Sequence, residues 1–137
     1  VDMGIEPYLL ASCLRGVLGQ RLVRTLCPHC RRPIDWETAA RACDADPGWR
    51  ARLAGGTLWE AVGCGRCLEG YSGRKGIFEL MVCDETVRVA IRSGRLDAAE
   101  LRRAAVAAGM HPLVDDALAK LGGGLTDLRE VAGALSA

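Results

Sequence analysis

The sequence predicts an α+β fold that is mostly helical: a long N-terminal helix, a tetracysteine subdomain with short strands, and a small C-terminal helical bundle. Three observations predict it. Behind Pro7, the apolar residues Leu10, Leu14, Val17, Leu18 and Leu22 recur near the helical period. Two C-x-x-C pairs, Cys27-Pro28-His29-Cys30 and Cys64-Gly65-Arg66-Cys67, bracket the middle of the chain. Beyond Asp84, capping residues and glycines alternate at helix-length intervals. The expected boundaries are 1–26 for the helix, 27–76 for the tetracysteine subdomain, and 77–137 for a strand followed by the bundle.

In the N-terminal helix, Gly16 and Gly19 each cost about 1 kcal/mol relative to Ala. Arg15, Arg21 and Arg24 ride on it, either as a solvated polar face or as a contact to a neighbouring subunit or nucleotide. The two C-x-x-C loops that follow each present two sulfurs to one point, and four thiolates make up a tetrahedral structural zinc site. Closing the intervening 33-residue excursion costs roughly 3 kcal/mol beyond a constant. Structural zinc in short peptides releases about 10–16 kcal/mol, so the metal wins. Cys27, Cys30, Cys64 and Cys67 are therefore the candidate ligands, with the nearby Arg31, Arg32 and Arg66 expected to offset the dianionic centre. A rubredoxin-like iron site shares the geometry and stays open. A thioredoxin-like role is disfavoured, because Cys27 follows the expected helix C-terminus, where the dipole opposes thiolate.

Within the excursion, Asp35 is expected to cap a helix from Trp36, and Asp46-Pro47 to start a second that Gly55-Gly56 ends. Trp36, Trp49 and Trp59 all fall here, as the core of a small subdomain or as hot spots of a docking surface beside Arg31, Arg32, Glu37, Arg41, Arg50 and Arg52. Thr57–Val62 and Gly76–Val82 read as strands, joined through a turn-rich loop over Glu69–Gly76. Asp84 then caps a helix to about Ser93, Asp97 and Glu100 open another to Gly109, His111-Pro112 opens a third, and Thr126 caps the last.

The chemistry absent from the sequence narrows the function. It holds no P-loop spacing, no Ser/His/Asp set and no evident carboxylate pair, and a zinc with four cysteines leaves no position for water. His29 sits in the first knuckle, but four cysteines already complete the shell, and His111 reads as an exposed helix-entry residue. With 18 basic against 17 acidic residues, the charge gives no case for nucleic acid or an anionic membrane. No apolar run approaches the ~18 residues of a membrane span, and no signal peptide opens the chain. Seven cysteines point to a reducing compartment, with Cys13, Cys43 and Cys83 as small buried hydrophobes. The main rival function is an independent zinc-ribbon module that binds nucleic acid.

Several stretches, in order, carry a resemblance. Asp2-Met3-Gly4-Ile5-Glu6-Pro7-Tyr8-Leu9-Leu10-Ala11-Ser12, Gln20-Arg21-Leu22-Val23-Arg24 and Cys27-Pro28-His29-Cys30 come first. Val62-Gly63-Cys64 with Cys67, Gly70-Tyr71, Gly73-Arg74 and Gly76-Ile77-Phe78-Glu79-Leu80 continue it. Leu101-Arg102, Ala105, Gly109-Met110, Asp116, Leu118 and Leu125-Thr126-Asp127-Leu128-Arg129-Glu130-Val131 complete it. Together they resemble the C-terminal part of bacterial type II secretion ATPases, and the type IV pilus assembly ATPases share most of these motifs.

The resemblance implies a parent protein larger than this chain: a hexameric cytoplasmic ATPase with a RecA-like motor, powering pilus or pseudopilus assembly from the inner membrane. Its partners would be neighbouring subunits of the homohexamer and inner-membrane platform proteins, with no nucleic acid. ATP and Mg2+ would belong to the upstream motor, of which 1–26 would be the end. Only the four cysteines carry over, as zinc ligands; Gln20-Arg21 matches a family motif without an assigned chemical role. The fragment itself would be a structural and docking domain lacking a catalytic site.

Overall fold

The computed structural model describes residues 4–53, 55–94 and 97–136; Asp2 and Met3, which open the family-like stretch, lie outside them. In chain order the elements are α1 (Pro7–Cys13), β1 (Gly16–Leu26), β2 (Arg32–Ile34), α2 (Trp36–Ala40), α3 (Gly48–Arg52) and β3 (Leu58–Glu60). They continue with β4 (Tyr71–Val82), α4 (Glu85–Arg92), α5 (Ala98–Ala107), α6 (Leu113–Gly122) and α7 (Leu128–Ser136). The fold is α+β, as the sequence predicts. Its strands form two ribbons, β1 with β4 and β2 with β3.

The long N-terminal helix is not what forms. α1 stops at Cys13, Leu14 turns extended at φ −71 and ψ 126, and the next eleven residues from Gly16 are strand β1. The apparent helical stripe misled because Val17, Leu18 and Leu22 are exposed, while the buried positions of β1 are Val23 and Leu26. Gly16 and Gly19, costly in a helix, fit the ribbon: a Cβ on Gly16 would lie 3.1 Å from the Met81 carbonyl, and one on Gly19 3.0 Å from the Glu79 side chain. The Cys27 N–H bonds the Gly70 carbonyl at 2.8 Å, and the Cys83 N–H bonds the Arg15 carbonyl at 3.0 Å. The two strands therefore run antiparallel.

The Glu69–Gly76 segment is likewise mostly strand and not loop, since β4 begins at Tyr71. The reversal is completed by Glu69 and Gly70 alone. Leu68 and Tyr71 exchange both backbone bonds, at 3.0 and 2.9 Å. Positive φ at both central residues, 52° and 89°, gives a type I′ turn. Gly70 is required twice over, because a Cβ there would meet Ala61 Cβ and the Val62 nitrogen at 2.7 Å.

The chain divides into two compact units. The first comprises Val1–Gly19 with Glu79–Pro112. Ala11, Cys83, Val87, Ile91 and Ala105 form its core, with Leu10, Leu14, Met81, Leu101 and Met110 packed against them. Arg88 donates to the carbonyls of Ala11 at 2.8 Å and Cys83 at 3.1 Å, tying α4 to the end of α1. Asp84 caps α4 by accepting from the Val87 N–H at 2.9 Å, and Asp97 caps α5 through the Ala99 N–H at 3.1 Å, both as expected.

The second unit comprises Gln20–Phe78 with Leu113–Ala137. Its core joins Val23 and Ile77 of the ribbon to Trp49 and Leu58 of the excursion and to Ala117, Leu121, Leu128 and Val131 of α6 and α7. Ile77, Leu121 and Val131 are 0 % exposed, and each contributes about 1.5–3 kcal/mol of burial. The excursion thus packs on α6 and α7, while α4 and α5 belong to the other unit. Asp35 caps α2 through the Thr38 N–H at 2.8 Å, as expected. Of the remaining cysteines, Cys83 is buried and Cys43 half-buried, but Cys13, the last residue of α1, is exposed, against the expectation of a buried thiol.

Thr126 does not cap the last helix. Asp127 does, accepting from the Glu130 N–H at 3.0 Å, while the Thr126 hydroxyl donates to the Arg24 carbonyl at 2.8 Å. Asp127 also accepts from the buried Tyr71 hydroxyl at 2.6 Å. Asp127→Ala is expected to cost about 2–4 kcal/mol, from a lost cap and an orphaned hydroxyl. Thr126→Ser, which keeps its hydrogen bond, is expected to cost about 1 kcal/mol. Denaturant unfolding ranks them, and equal losses would reassign the cap.

Glu130 adds a pH dependence. Burial raises its carboxyl, but the Arg24 guanidinium and N–H outweigh that and hold it below the usual range. A depressed folded-state pKa gives stability that is full above the unfolded value of about 4.3 and is lost as pH falls through the folded one. Glu130→Gln is expected to flatten the acid limb of the stability curve below about pH 4, read by thermal unfolding against pH. An unchanged acid limb would remove Glu130 from the account.

A four-sulfur cluster as candidate metal centre

The end of β1 and the turn before β4 deliver the cysteines. Each C-x-x-C segment folds into a knuckle: the N–H groups of Cys30 and Arg31 bond the Cys27 carbonyl at 3.3 and 3.1 Å, and the Cys67 N–H bonds the Cys64 carbonyl at 3.3 Å. The first knuckle is fixed by the bond from Cys27 to Gly70 and by the Leu26 N–H on the Leu125 carbonyl at 2.8 Å. The β2–β3 ribbon, with Arg32 opposite Glu60 and Ile34 opposite Leu58, returns the chain to the second.

All four sulfurs lie within 4.8 Å of one another. Cys27 and Cys64 are 4.0 Å apart, Cys30 and Cys67 3.7 Å, and Cys64 and Cys67 3.6 Å. Zinc–sulfur bonds of about 2.3 Å at tetrahedral angles place sulfurs about 3.8 Å apart, so the donor set fits such an ion without rearrangement. Cys27 is buried and the other three are partly exposed.

The sulfurs are not equivalent. Burial raises the Cys67 thiol, but the N–H of Cys64, 3.3 Å from its sulfur, and the neighbouring thiols outweigh this and bring it to about 7. Desolvation, with hydrogen bonds from the other sulfurs, pushes Cys30 up to about 11. Of these two, the Cys67 thiolate forms the more readily, and a dication would have to displace the proton of Cys30.

The arginines expected to offset the charge are partly committed elsewhere. Arg31 donates to the Gly124 carbonyl and lies over the Trp59 ring at 4.5 Å, and Arg32 pairs with Glu60 at 3.0 Å. Arg66 and His29 are exposed on the knuckles. Trp49 and Trp36 enter the core shared with α6 and α7, the core alternative for the tryptophans. Gln20 and Arg21 are exposed on β1.

Sequence reasoning missed the polar network beside the knuckles. Arg24 donates from its N–H and guanidinium to Glu130 at 2.8 to 2.9 Å and stacks on the Tyr71 ring at 3.9 Å. Tyr71 in turn holds Asp127, and burial pushes its hydroxyl's pKa up. The signal was the D-x-x-E spacing of Asp127 and Glu130, a local helix-start pattern.

Comparisons with known proteins show the family of the chain. Residues 1–133 match the family model described as Type II/IV secretion system protein. The chain is 45 % identical over 132 residues to the type II secretion system protein HxcR of Pseudomonas aeruginosa, covering 96 % of this chain and 24 % of that protein. It is 44 % identical to the type II secretion system protein E of the same organism, covering 96 % of this chain and 25 % of the relative. It is 41 % identical to the type IV pilus assembly ATPase PilB of Thermus thermophilus, covering 95 % of this chain and 14 % of the relative. The chain thus spans a quarter or less of the length of these relatives, and it belongs to the Type II/IV secretion system protein family.

Proposed function

We propose that this chain is a zinc-stabilised structural and docking domain from a hexameric ATPase that powers type II secretion through pseudopilus assembly. Cys27, Cys30, Cys64 and Cys67 are the zinc ligands. The convergence of the four sulfurs within 4.8 Å carries this reading. Catalysis belongs to the rest of the parent, where ATP and Mg2+ bind; residues 1–26 close the motor region and 27–76 form the metal-bearing part. Neighbouring subunits and inner-membrane platform proteins are the partners, at the cytoplasmic face of the inner membrane. No described helix is long and apolar enough to cross a membrane. The pilus branch is the second reading, supported by 41 % identity to PilB of Thermus thermophilus and 37 % to PilB of Myxococcus xanthus.

How the chain's own groups serve this role follows from their placement. Cys27, Cys30, Cys64 and Cys67 would hold a cation, which would supply a cross-link between two distant segments. The knuckle N–H groups orient the sulfurs, and four sulfur donors would leave no position for water. Arg24, Tyr71, Asp127 and Glu130 fix the base of the site to the start of α7.

Purified protein is expected to carry about one zinc per chain by elemental analysis. Cobalt(II) titration of metal-free protein is expected to give thiolate charge-transfer absorption that weakens as pH falls, because the ion displaces thiol protons. Mainly iron, or no metal, would overturn the assignment.

In the full-length parent, Cys27→Ser or Cys64→Ser is expected to reduce secretion or piliation several-fold more than basal ATP hydrolysis. This chain alone is expected to show no turnover. Equal loss of both activities in a folded hexamer would make the clasp a stability device with no docking role.

A further inference from the structure

We propose that Cys30 and Cys67 are an oxidation site: a two-electron oxidant of the peroxide class joins them in a disulfide that displaces the metal while keeping the knuckles tied. The geometry selects this pair. Their sulfurs are 3.7 Å apart and both are partly exposed, whereas Cys27 is only 1 % exposed. They come from different knuckles, so bonding them requires two side chains to close a short gap.

The competing pair, Cys64 and Cys67, is as near at 3.6 Å. Its sulfurs sit in one tight turn, where the Cys64 N–H donates to Cys67 Sγ at 3.3 Å and the Cys67 N–H to the Cys64 carbonyl at 3.3 Å. A disulfide there must twist that turn and break the N–H to sulfur bond. Cys27 and Cys64, at 4.0 Å, form the pair left over.

The step balances with peroxide as the named oxidant. One sulfur attacks the O–O bond and becomes a sulfenic acid, releasing the first water after protonation. The second sulfur attacks the sulfenic sulfur, forming S–S and releasing the second water. Two electrons pass from the sulfurs to one peroxide. The two protons come from solvent when the sulfurs are metal-bound thiolates, and from the thiols themselves when they are free. The metal then keeps only Cys27 and Cys64, half its shell, and passes to a chelator. The covalent link replaces it between the same two segments, and a dithiol reverses the change.

The metal-release half of this proposal rests on the zinc reading above; the pairing half does not. The test uses zinc-loaded protein carrying Cys13→Ser, which removes the exposed thiol. It is treated with one equivalent of hydrogen peroxide in the presence of a colorimetric zinc chelator, then digested with trypsin without reduction. Arg66 lies between Cys64 and Cys67, so digestion separates them, while Cys27 and Cys30 share the peptide 25–31.

The expected result is release of about one zinc per peroxide, and a 25–31 peptide cross-linked to the peptide starting at Cys67. Fragmentation should place the link on Cys30, dithiothreitol should restore zinc binding, and Cys30→Ser should abolish the cross-link. A Cys64–Cys67 link, sulfinic acid without a disulfide, or retained zinc would overturn the proposal. Protein that holds no zinc before oxidation would instead sink the metal reading, and the same peptide map would still decide the pairing.

Discussion

Four sulfurs drawn to one point are the constraint on which the second compact unit depends. Their backbone supports come from parts of the chain far apart in sequence: the end of β1, the turn before β4 and the segment ahead of α7. Because Cys27 bonds Gly70 and Leu26 bonds Leu125, the cluster forms only where β1, β4 and that segment already meet. A metal held there would therefore not have to build a fold from nothing. It would fix the ends of a 33-residue excursion whose own elements are a three-residue ribbon and two five-residue helices, each too short to persist alone.

The excursion is stabilised from its other side as well. Trp49 and Leu58 pack with Ala117, Leu121 and Val131, so what begins as a loop between cysteines ends as a wall of the α6–α7 core. Beneath the knuckles, Arg24 joins strand to helix through a forked bond to Glu130 and a stack on Tyr71. No described buried side-chain polar atom is left without a partner, which is why a network this polar is tolerated at the edge of a core.

Legibility in the sequence followed the range of the forces involved. The convergence of the four sulfurs was readable because two C-x-x-C pairs are a pattern set by spacing alone, whatever surrounds them. Asp35, Asp84 and Asp97 were readable as caps because a cap is completed within three residues. β1 was not, because its partner strand lies beyond the whole excursion and its exposed leucines mimic a helical stripe. Gly73 and Gly76 read as turn residues for the same reason, since only pairing makes them strand. At Thr126 and Asp127 both residues are good caps in isolation, and the choice was made by Arg24 and Tyr71, distant groups that claim one oxygen each.

The two-residue turn at Glu69 and Gly70 acts as a parity lock between the four-sulfur cluster and the polar network. Side chains alternate faces along a strand, so Tyr71 points toward Asp127 only while the count from Cys67 holds. One residue more or fewer would turn the Tyr71 hydroxyl to the opposite face and separate two systems that now share a hairpin. Longer segments nearby can drift in length at small entropic cost, since loop closure grows only logarithmically. This interval cannot, and its length is a discrete property of the fold, set in whole residues by the geometry of a single turn.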